Sequence, residues 1–252
     1  MATGPLVLYE NRLRDAVPVA SSTAAGFDVL NLRDLRDYTF WKPSAIPATV
    51  TVDCLTSKSA DYLAVYGHDL FTTGCTIEVR KSTDNFVAND VLVATHTPTD
   101  NQPILVMFTS TASRYWRIRV LTGTAPSIAI ALVGIRLEIP AGVREGFDPI
   151  GRELVGQMNR SNAGRALGRV LNWRRWKTTL HFELVTWTWV RDTWKVAAEA
   201  WLESEPWLFC WHPDTYPKET RHISMDDAGW DTQHRAGSYC DLVVPVTGVM
   251  PA

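Results

Sequence analysis

The sequence has little of what marks disulfide-rich, exported or membrane-spanning proteins. Its 252 residues include only four cysteines, and no two of them form a CxxC pair. The N-terminus carries no basic segment followed by an apolar one, so we expect no Sec export and four reduced thiols: Cys54, Cys75, Cys210 and Cys240. The longest apolar stretch, 128–133, is far shorter than a bilayer-spanning helix, so we also expect no membrane insertion.

Catalytic signatures are also missing. The sequence contains no GxSxG elbow, no HExxH pair, no P-loop and no GxGxxG stretch. The formal net charge of −2 gives no overall field that would draw the chain onto nucleic acid or an acidic membrane. We therefore predict a protein with no enzymatic activity, no catalytic or cofactor-binding residues, no cofactor and no nucleic-acid partner.

Residues suited to metal ions are present but scattered. Those with zinc-type side chains in the second half are Cys210, His212, His222, His234 and Cys240. Their spacing matches no compact zinc finger, so they are predicted to be core thiols and surface or hydrogen-bonded histidines. Aspartates of the type that binds calcium in the first half are Asp15, Asp28, Asp34, Asp37 and Asp53. Because no DxDxDG-like loop contains them, we predict turn and capping roles and no metal site.

The first half alternates apolar and polar residues with a period of two. The segments that do so are 48–53, 62–66, 76–80, 115–120 and 135–139. Turn-forming residues lie between them and no helical pattern interrupts them, which predicts an all-β sandwich. The pattern ends at Pro140, so we predict a first domain over 1–140.

Glycine and arginine dominate the next segment, 141–172. It is too rich in glycine for a stable helix, so we predict an extended arm or a long hairpin.

The remaining segment, 173–252, holds nine of the eleven tryptophans of the chain. Apolar residues at helical spacing predict one helix over about 193–204, ended by Pro206, and the flanking alternating segments predict strands. The fold class is therefore mainly β: a sandwich followed by a second, Trp-rich β domain with one helix.

Arginine and tryptophan together mark a predicted protein contact surface, because both are enriched at interface hot spots. The predicted interface residues are Arg144, Arg152, Arg160, Arg165, Arg169, Trp173 and Trp176. One alternative is a Trp-rich core, in which tryptophans face inward along a strand and arginines face outward. Another is stacking of single-stranded nucleic acid on 172–177, which the acidic pI of about 6.3 disfavours.

Six short motifs of the first half resemble, in order and spacing, the discoidin or galactose-binding-like jelly roll. They are Asn11–Asp15, Asn31–Asp34, Trp41, Asp61–His68, Ile77–Ser82 and Arg114–Arg119. The resemblance implies a module that binds ligands through loops at one end of the sandwich and rarely catalyses a reaction. In that family the late Arg-Tyr-aromatic-Arg strand belongs to the core, so Arg114–Arg119 is expected to determine the fold and not to bind a ligand.

Three segments of the second half resemble tail-tip proteins of long-tailed bacteriophages. They are the arm that ends in 164–169, the strand and helix that end in 201–206, and the turn-rich 209–217. Distal tail proteins usually place the ring-forming β domain first and a carbohydrate-module-like domain second. This chain has the reverse order.

The two resemblances together imply a structural virion protein, a distal-tail or baseplate ring subunit that links the tail tube to tail-tip components. Its partners would be copies of itself in a closed homo-oligomeric ring, a hexamer, and other tail proteins: the tail tube, the tail hub and fibres. It would be assembled in the host cytoplasm and reside in the phage tail. The alternative is a carbohydrate-binding adhesin or tail-fibre receptor-binding protein, which would bind a host glycan at an aromatic-lined concave site in the first domain.

Overall fold

The computed structural model describes residues 4–249, and its described residues form mostly antiparallel strands. The predicted mainly β fold with one helix is confirmed. In chain order the strands are β1 (Leu6–Leu8), β2 (Val19–Ala20), β3 (Ala48–His68), β4 (Thr76–Ser82), β5 (Val91–His96), β6 (Ile104–Leu121), β7 (Ile128–Gly134), β8 (Leu137–Glu138), β9 (Glu153–Arg160), β10 (Ala166–Thr186), β11 (Trp207–Cys210), β12 (Arg221–Met225), β13 (Asp231–His234) and β14 (Tyr239–Val249).

The chain divides into two compact units. Unit 1 comprises the residues up to Ile139 together with Trp207–Thr220. Unit 2 comprises Pro140–Pro206 together with the residues from Arg221 onward.

This division differs from the predicted one in the segment Trp207–Thr220. The sequence analysis placed the segment in the second domain, whereas the structure places it in unit 1. Backbone pairing explains the difference, because β11 pairs antiparallel with β1 from Leu6↔Cys210 to Leu8↔Leu208. The other edge of β1 pairs with β8. These pairings were not predictable from local pattern, since the paired residues lie about 130 positions apart for β8 and about two hundred for β11.

Unit 1 is a β-sandwich built on two long, bent strands. β3 and β6 pair antiparallel from Ala48↔Val120 to Val65↔Ile104, with register shifts in the middle of both strands. The first half of β3 lies in one layer with β2 and, through β6, with β4 and β5, whereas its second half pairs with β7. The buried side chains between the layers include Trp41 and Trp116.

β7 is one of the strands that the alternating pattern did not predict, together with β1, β2 and β5. The sequence analysis placed a strand at 135–139, where the structure has only the two residues of β8. All seven residues of β7 are buried. A strand covered on both faces is apolar throughout, so alternation is no guide to it.

The unit 2 sheet is centred on β14. One edge of β14 pairs with β10, and the other pairs with β12 and β13. β9 pairs with the first half of β10. The segment predicted as an arm or a long hairpin is thus a hairpin within the described residues.

The helix of unit 2, α1, occupies 187–202 and alternates α-helical turns (Trp187–Trp189, Lys195–Ala197) with π-helical turns (Val190–Trp194, Ala198–Leu202). The Thr186 side chain caps its first turn by accepting a hydrogen bond from the Trp189 amide at 3.3 Å. The helix therefore begins six residues before the predicted start at 193. Its buried side includes Trp194, Ala198 and Leu202, which the helical spacing predicted.

All four cysteines are buried and free. Burial raises the pKa of Cys54 to about 12 and the pKa of Cys210 to about 11. Within residues 4–249, no helix is long and apolar enough to cross a membrane.

Candidate functional site

One end of the unit 1 sandwich is formed by loops that are hydrogen-bonded to each other. The Asp69 carboxylate accepts from the Ser127 amide at 2.7 Å, which joins the loop after β3 to the loop before β7. The Asn101 side chain accepts from the Phe71 amide at 3.1 Å and donates to Thr72 Oγ1 at 2.7 Å. A third loop, which precedes β6, is thereby fixed to the same rim.

Gly123 allows two of these loops to approach closely. Its φ is +66°, and a Cβ atom there would lie 1.9 Å from the Thr73 carbonyl oxygen. The Thr73 carbonyl accepts instead from the Thr124 amide at 2.9 Å. The rim is therefore held by backbone contacts that leave little freedom for rearrangement.

A shallow pocket of about 60 Å³ opens beside this rim. Its polar lining includes His96, Thr99, Asp100 and Lys218. The Lys218 ammonium donates to Asp100 Oδ2 and, at 3.0 Å, to Thr99 Oγ1. Lys218 lies on the 3₁₀ turn Pro217–Glu219, within the segment that packs in unit 1.

The electrostatics of the pocket follow from these contacts. The hydrogen bond from Lys218 holds the pKa of Asp100 below its ordinary value, so the carboxylate is charged and accepts hydrogen bonds near neutral pH. Burial lowers the pKa of His96, and the Lys218 charge lowers it further. The pocket therefore offers an anionic acceptor, a cationic donor and a neutral imidazole.

Aromatic rings precede Lys218 in the chain. The rings of Trp211 and Tyr216 stack at 5.2 Å with an interplanar angle of 16°, and His212 meets Tyr216 edge-on at 5.9 Å. Trp211 Nε1 donates a hydrogen bond to a Glu219 carboxylate oxygen at 2.6 Å. This bond ties the stacked Trp211 and Tyr216 rings to the turn Pro217–Glu219. Tyr216 remains 44% exposed, and it directly precedes Pro217 and Lys218, which line the polar pocket.

The predicted interface residues are spread over the hairpin and the core of unit 2. Arg152, Arg160, Arg165 and Arg169 are exposed. Trp173 is 56% exposed, whereas Arg144 Nε lies 3.3 Å from the Glu183 carboxylate. Trp176 is only 1% exposed, and it donates to the Asp148 carbonyl at 3.2 Å. In this conformation Trp176 belongs to the core of its own unit, and the interface role of the others stays a prediction.

The hairpin of 153–174, here called the ribbon, has no third strand among the described residues. β14 pairs with β10 only from Arg175 onward, and the earlier part of β10 pairs with β9 alone. Exposed apolar side chains along the ribbon include Leu154, Met158 and Leu171, at 42%, 41% and 39%. An isolated two-stranded hairpin is at best marginally stable in water, so this one is expected to gain order from a partner.

A larger pocket of about 280 Å³ lies on the unit 2 sheet. Trp173 and Arg175 of β10 line it together with His222 and Ser224 of β12. Arg175 Nε donates to the Glu153 carboxylate at 2.7 Å, so its charge is already partly compensated. The walls of this pocket are mostly apolar.

The side chains of His181, Glu183 and Asp241 lie close together, and all three are of types that can bind a metal ion. Arg235 donates to Asp241 Oδ2 at 2.7 Å and also lies 3.7 Å from Glu183. The second arginine at Glu183 is Arg144. Because two guanidinium groups occupy the carboxylates, the cluster is better suited to internal ion pairing than to binding a cation.

Sequence reasoning did not single out His181, Glu183 and Asp241, and it missed Lys218 and Tyr216. The histidines and cysteines that it considered for zinc are divided between the units, since Cys210 and His212 belong to unit 1 and the other three to unit 2. Of the discoidin-like motifs, Trp41 is fully buried, and Arg114–Arg119 lies within β6 as a fold element.

No protein-family profile and no curated protein matches the sequence. Among solved structures, a chitosan-binding module from a chitosanase/glucanase of Paenibacillus sp. IK-5 is 20% identical, with a TM-score of 0.42 over 50% of this chain and 98% of that module. A Clostridium perfringens carbohydrate-binding module in complex with GalNAc-β-1,3-galactose is 16% identical, with a TM-score of 0.43 over 50% of this chain and 99% of its own. The family 32 module of C. perfringens NanJ, in complex with galactose, is 18% identical, with a TM-score of 0.42 over 51% and 98% of the two chains.

Proposed function

We propose that the chain is a carbohydrate-binding protein of the adhesin or receptor-binding kind, and that unit 1 binds the sugar at the pocket beside Tyr216. The observation that carries this proposal is that one short segment holds both the stacked Trp211 and Tyr216 rings and Lys218, which pairs with Asp100. A pyranose ring has an apolar face of C–H groups and an edge of hydroxyl groups. An aromatic surface complements the face, and charged hydrogen-bonding groups complement the edge.

The size of the pocket determines how a sugar would bind. A volume of about 60 Å³ is too small to enclose a pyranose ring. The sugar would therefore lie on the surface against Tyr216 and place a hydroxyl or hydroxymethyl group within hydrogen-bonding reach of Asp100 and Lys218. A site of this kind binds one ring or a chain end and performs no reaction, so the proposal includes no catalytic step.

The experiment is a glycan array with the purified chain, followed by calorimetric titration of the best glycan. Tyr216→Ala and Lys218→Ala are each expected to weaken binding at least about tenfold, which corresponds to about 1.4 kcal/mol. Tyr38→Ala is the matched control, because Tyr38 is a 70% exposed tyrosine outside the pocket. Absence of binding to any glycan, or binding that is unchanged by both pocket variants, would contradict the proposal.

A second candidate function is favoured by the ribbon. We infer from its exposed apolar residues that the chain is a structural subunit of a larger assembly, and the tail tip of a long-tailed phage is the assembly that the sequence resemblance suggests. In that role the ribbon would contact neighbouring subunits of a ring or other tail proteins, while unit 1 would bind a host glycan. The two candidate functions are compatible, because they use different residues.

Mass spectrometry of purified phage particles tests the second candidate. The chain is expected at a few copies per particle, in a fixed ratio to the tail-tube protein, and immunogold label is expected at one end of the tail. A particle that lacks the chain, or label distributed without relation to the tail, would exclude a structural role in the virion.

A further inference from the structure

The two faces of the ribbon differ in chemistry. Directly paired residues on neighbouring strands point to the same face. The pairs Arg174↔Leu154 and Arg169↔Met158 therefore share one face, and the Leu171↔Gly156 pair lies on it as well because the register shifts between Leu171 and Trp173. The opposite face carries Trp173↔Val155 and Val170↔Gln157. We call the face that carries Arg169 and Arg174 the basic face.

Charge on the ribbon is opposite to charge on the rest of the chain. Residues 153–174 contain four arginines and one glutamate, a formal charge of +3. Because the whole chain has 25 basic and 27 acidic residues, a net charge of −2, the remainder carries −5. Two ribbons would repel each other, whereas a ribbon and the remainder of a second copy attract.

The exposed side of α1 combines an apolar side chain with carboxylates, which would complement the apolar and basic side chains of the basic face. Val196 is 59% exposed in the middle of the helix. Asp192 precedes it by four residues and Glu199 follows it by three, and residues at these spacings are neighbours on a helix surface. Glu203 adds a further exposed carboxylate one turn on. Lys195, 3.5 Å from Glu199, and the exposed Arg191, which directly precedes Asp192, compensate part of this charge.

We propose that the chain associates with itself head to tail, with the basic face of one ribbon bound to the exposed side of α1 in a second copy. Leu154, Met158 and Leu171 would pack on Val196, and Arg169 and Arg174 would pair with Asp192 and Glu199. Arginine forms bidentate pairs with carboxylates, which would fix the register of the contact. The partner is a second copy because the complementary charge lies on the chain itself.

The contact joins two different surfaces, so it cannot be completed by a pair of copies. Each copy keeps one free ribbon and one free helix until a ring closes or a filament grows. This inference rests on the assembly role proposed for the ribbon, and it is independent of sugar binding by unit 1.

Charge reversal on each side tests the contact in analytical ultracentrifugation of the full chain. Arg169→Glu with Arg174→Glu reverses the ribbon, and Asp192→Arg with Glu199→Arg reverses the helix. Each double variant alone is expected to sediment as a monomer, with a dissociation constant raised at least about 30-fold over wild type. An equimolar mixture is expected to assemble again, because each ribbon then meets a helix of opposite charge.

The matched control is Gln157→Glu with Asn159→Asp, which adds negative charge to the opposite face of the same ribbon and is expected to leave assembly unchanged. Circular dichroism and melting curves of every variant identify any loss of fold. A wild-type chain that stays monomeric at high concentration, or a closed dimer, would overturn the inference, as would a mixture of the two reversed variants that fails to assemble. If the chain is found in virions despite such a result, the structural role stands and only the partner is wrong.

Discussion

Lys218 and Asp100 form an ion pair although they lie 118 residues apart in the chain. The pair fixes the turn Pro217–Glu219 to the loop before β6, and the same ammonium donates to Thr99 Oγ1 at 3.0 Å. Both side chains remain about half exposed, at 54% for Lys218 and 41% for Asp100. An exposed pair contributes little to stability, so its value lies in placing a donor and an acceptor side by side.

Lys218→Met removes the charge and keeps most of the side-chain stem. The pKa of Asp100 is expected to rise toward its ordinary value, because the hydrogen bond from Lys218 is the main cause of its depression. An NMR titration of the Asp100 carboxyl measures this directly. The free energy of unfolding is expected to change by less than about 1 kcal/mol, since both groups are solvated.

The control for this prediction is Lys177→Met. Lys177 forms a comparable exposed pair with Asp226 at 3.2 Å in unit 2. It is expected to leave both the Asp100 titration and glycan binding unchanged. If Lys218→Met left the Asp100 pKa where it is in the wild type, the pair would not exist in solution, and the polar half of the proposed sugar site would be lost.

Trp176 and Trp173 differ by three positions and are expected to behave differently on truncation. Trp176 is 1% exposed and meets Phe147 edge-on, with ring centroids 5.8 Å apart. Trp176→Ala is expected to lower the free energy of unfolding by about 3–5 kcal/mol, the usual cost of removing a buried aromatic. Trp173→Ala is expected to cost less than about 1 kcal/mol, since its ring is more than half exposed.

Urea denaturation of the two variants checks this contrast. Equal losses for both would show that Trp173 packs as tightly as Trp176, and no loss for Trp176→Ala would show that the unit 2 core is arranged differently. The sequence analysis treated both tryptophans as contact residues, because a strand with unknown register gives no indication of which alternate residue faces the core.

The sequence predicted the β class and the presence of a helix, because these depend on local periodicity. It did not predict that Trp207–Thr220 belongs to unit 1, since the pairing of β11 with β1 joins residues that are distant in the chain. The candidate sugar site depends on that pairing. Lys218 lines the pocket only because its segment packs in unit 1, and no motif around Lys218 or Tyr216 indicated a site.

Asp241 is fully buried, and its environment gives a pH dependence of stability. Arg235 donates to its carboxylate at 2.7 Å, and the Leu184 amide donates to it at 3.3 Å. The hydrogen bond from Arg235 is the main cause that lowers the pKa of Asp241 below its ordinary value. A carboxyl whose pKa is lower in the folded than in the unfolded state stabilises the fold above the unfolded pKa, and loses that contribution as pH falls through the folded pKa.

Asp241→Asn is therefore expected to lower the free energy of unfolding by about 1.5–3 kcal/mol near neutral pH, the range for hydrogen bonds to charged groups. Well below the unfolded pKa of about 3.9, the difference between variant and wild type is expected to shrink. Urea denaturation at both pH values measures the two differences. A difference that is constant over the whole range would mean that the charge of Asp241 contributes nothing and that only its shape matters.

The four cysteines are expected to resist alkylation in the folded protein. All four side chains are buried, and burial raises the pKa of Cys54 to about 12 and the pKa of Cys210 to about 11. Because the thiolate is the reactive species, iodoacetamide at mildly alkaline pH should label these two at least ~100-fold more slowly than a free cysteine peptide. Peptide mass spectrometry after timed quenching gives the rate for each position, and labelling in denaturant without reductant is expected at all four positions. Fast labelling of Cys54 in the native protein would mean that the sandwich core opens readily, whereas a position that stays unlabelled in denaturant would reveal a disulfide.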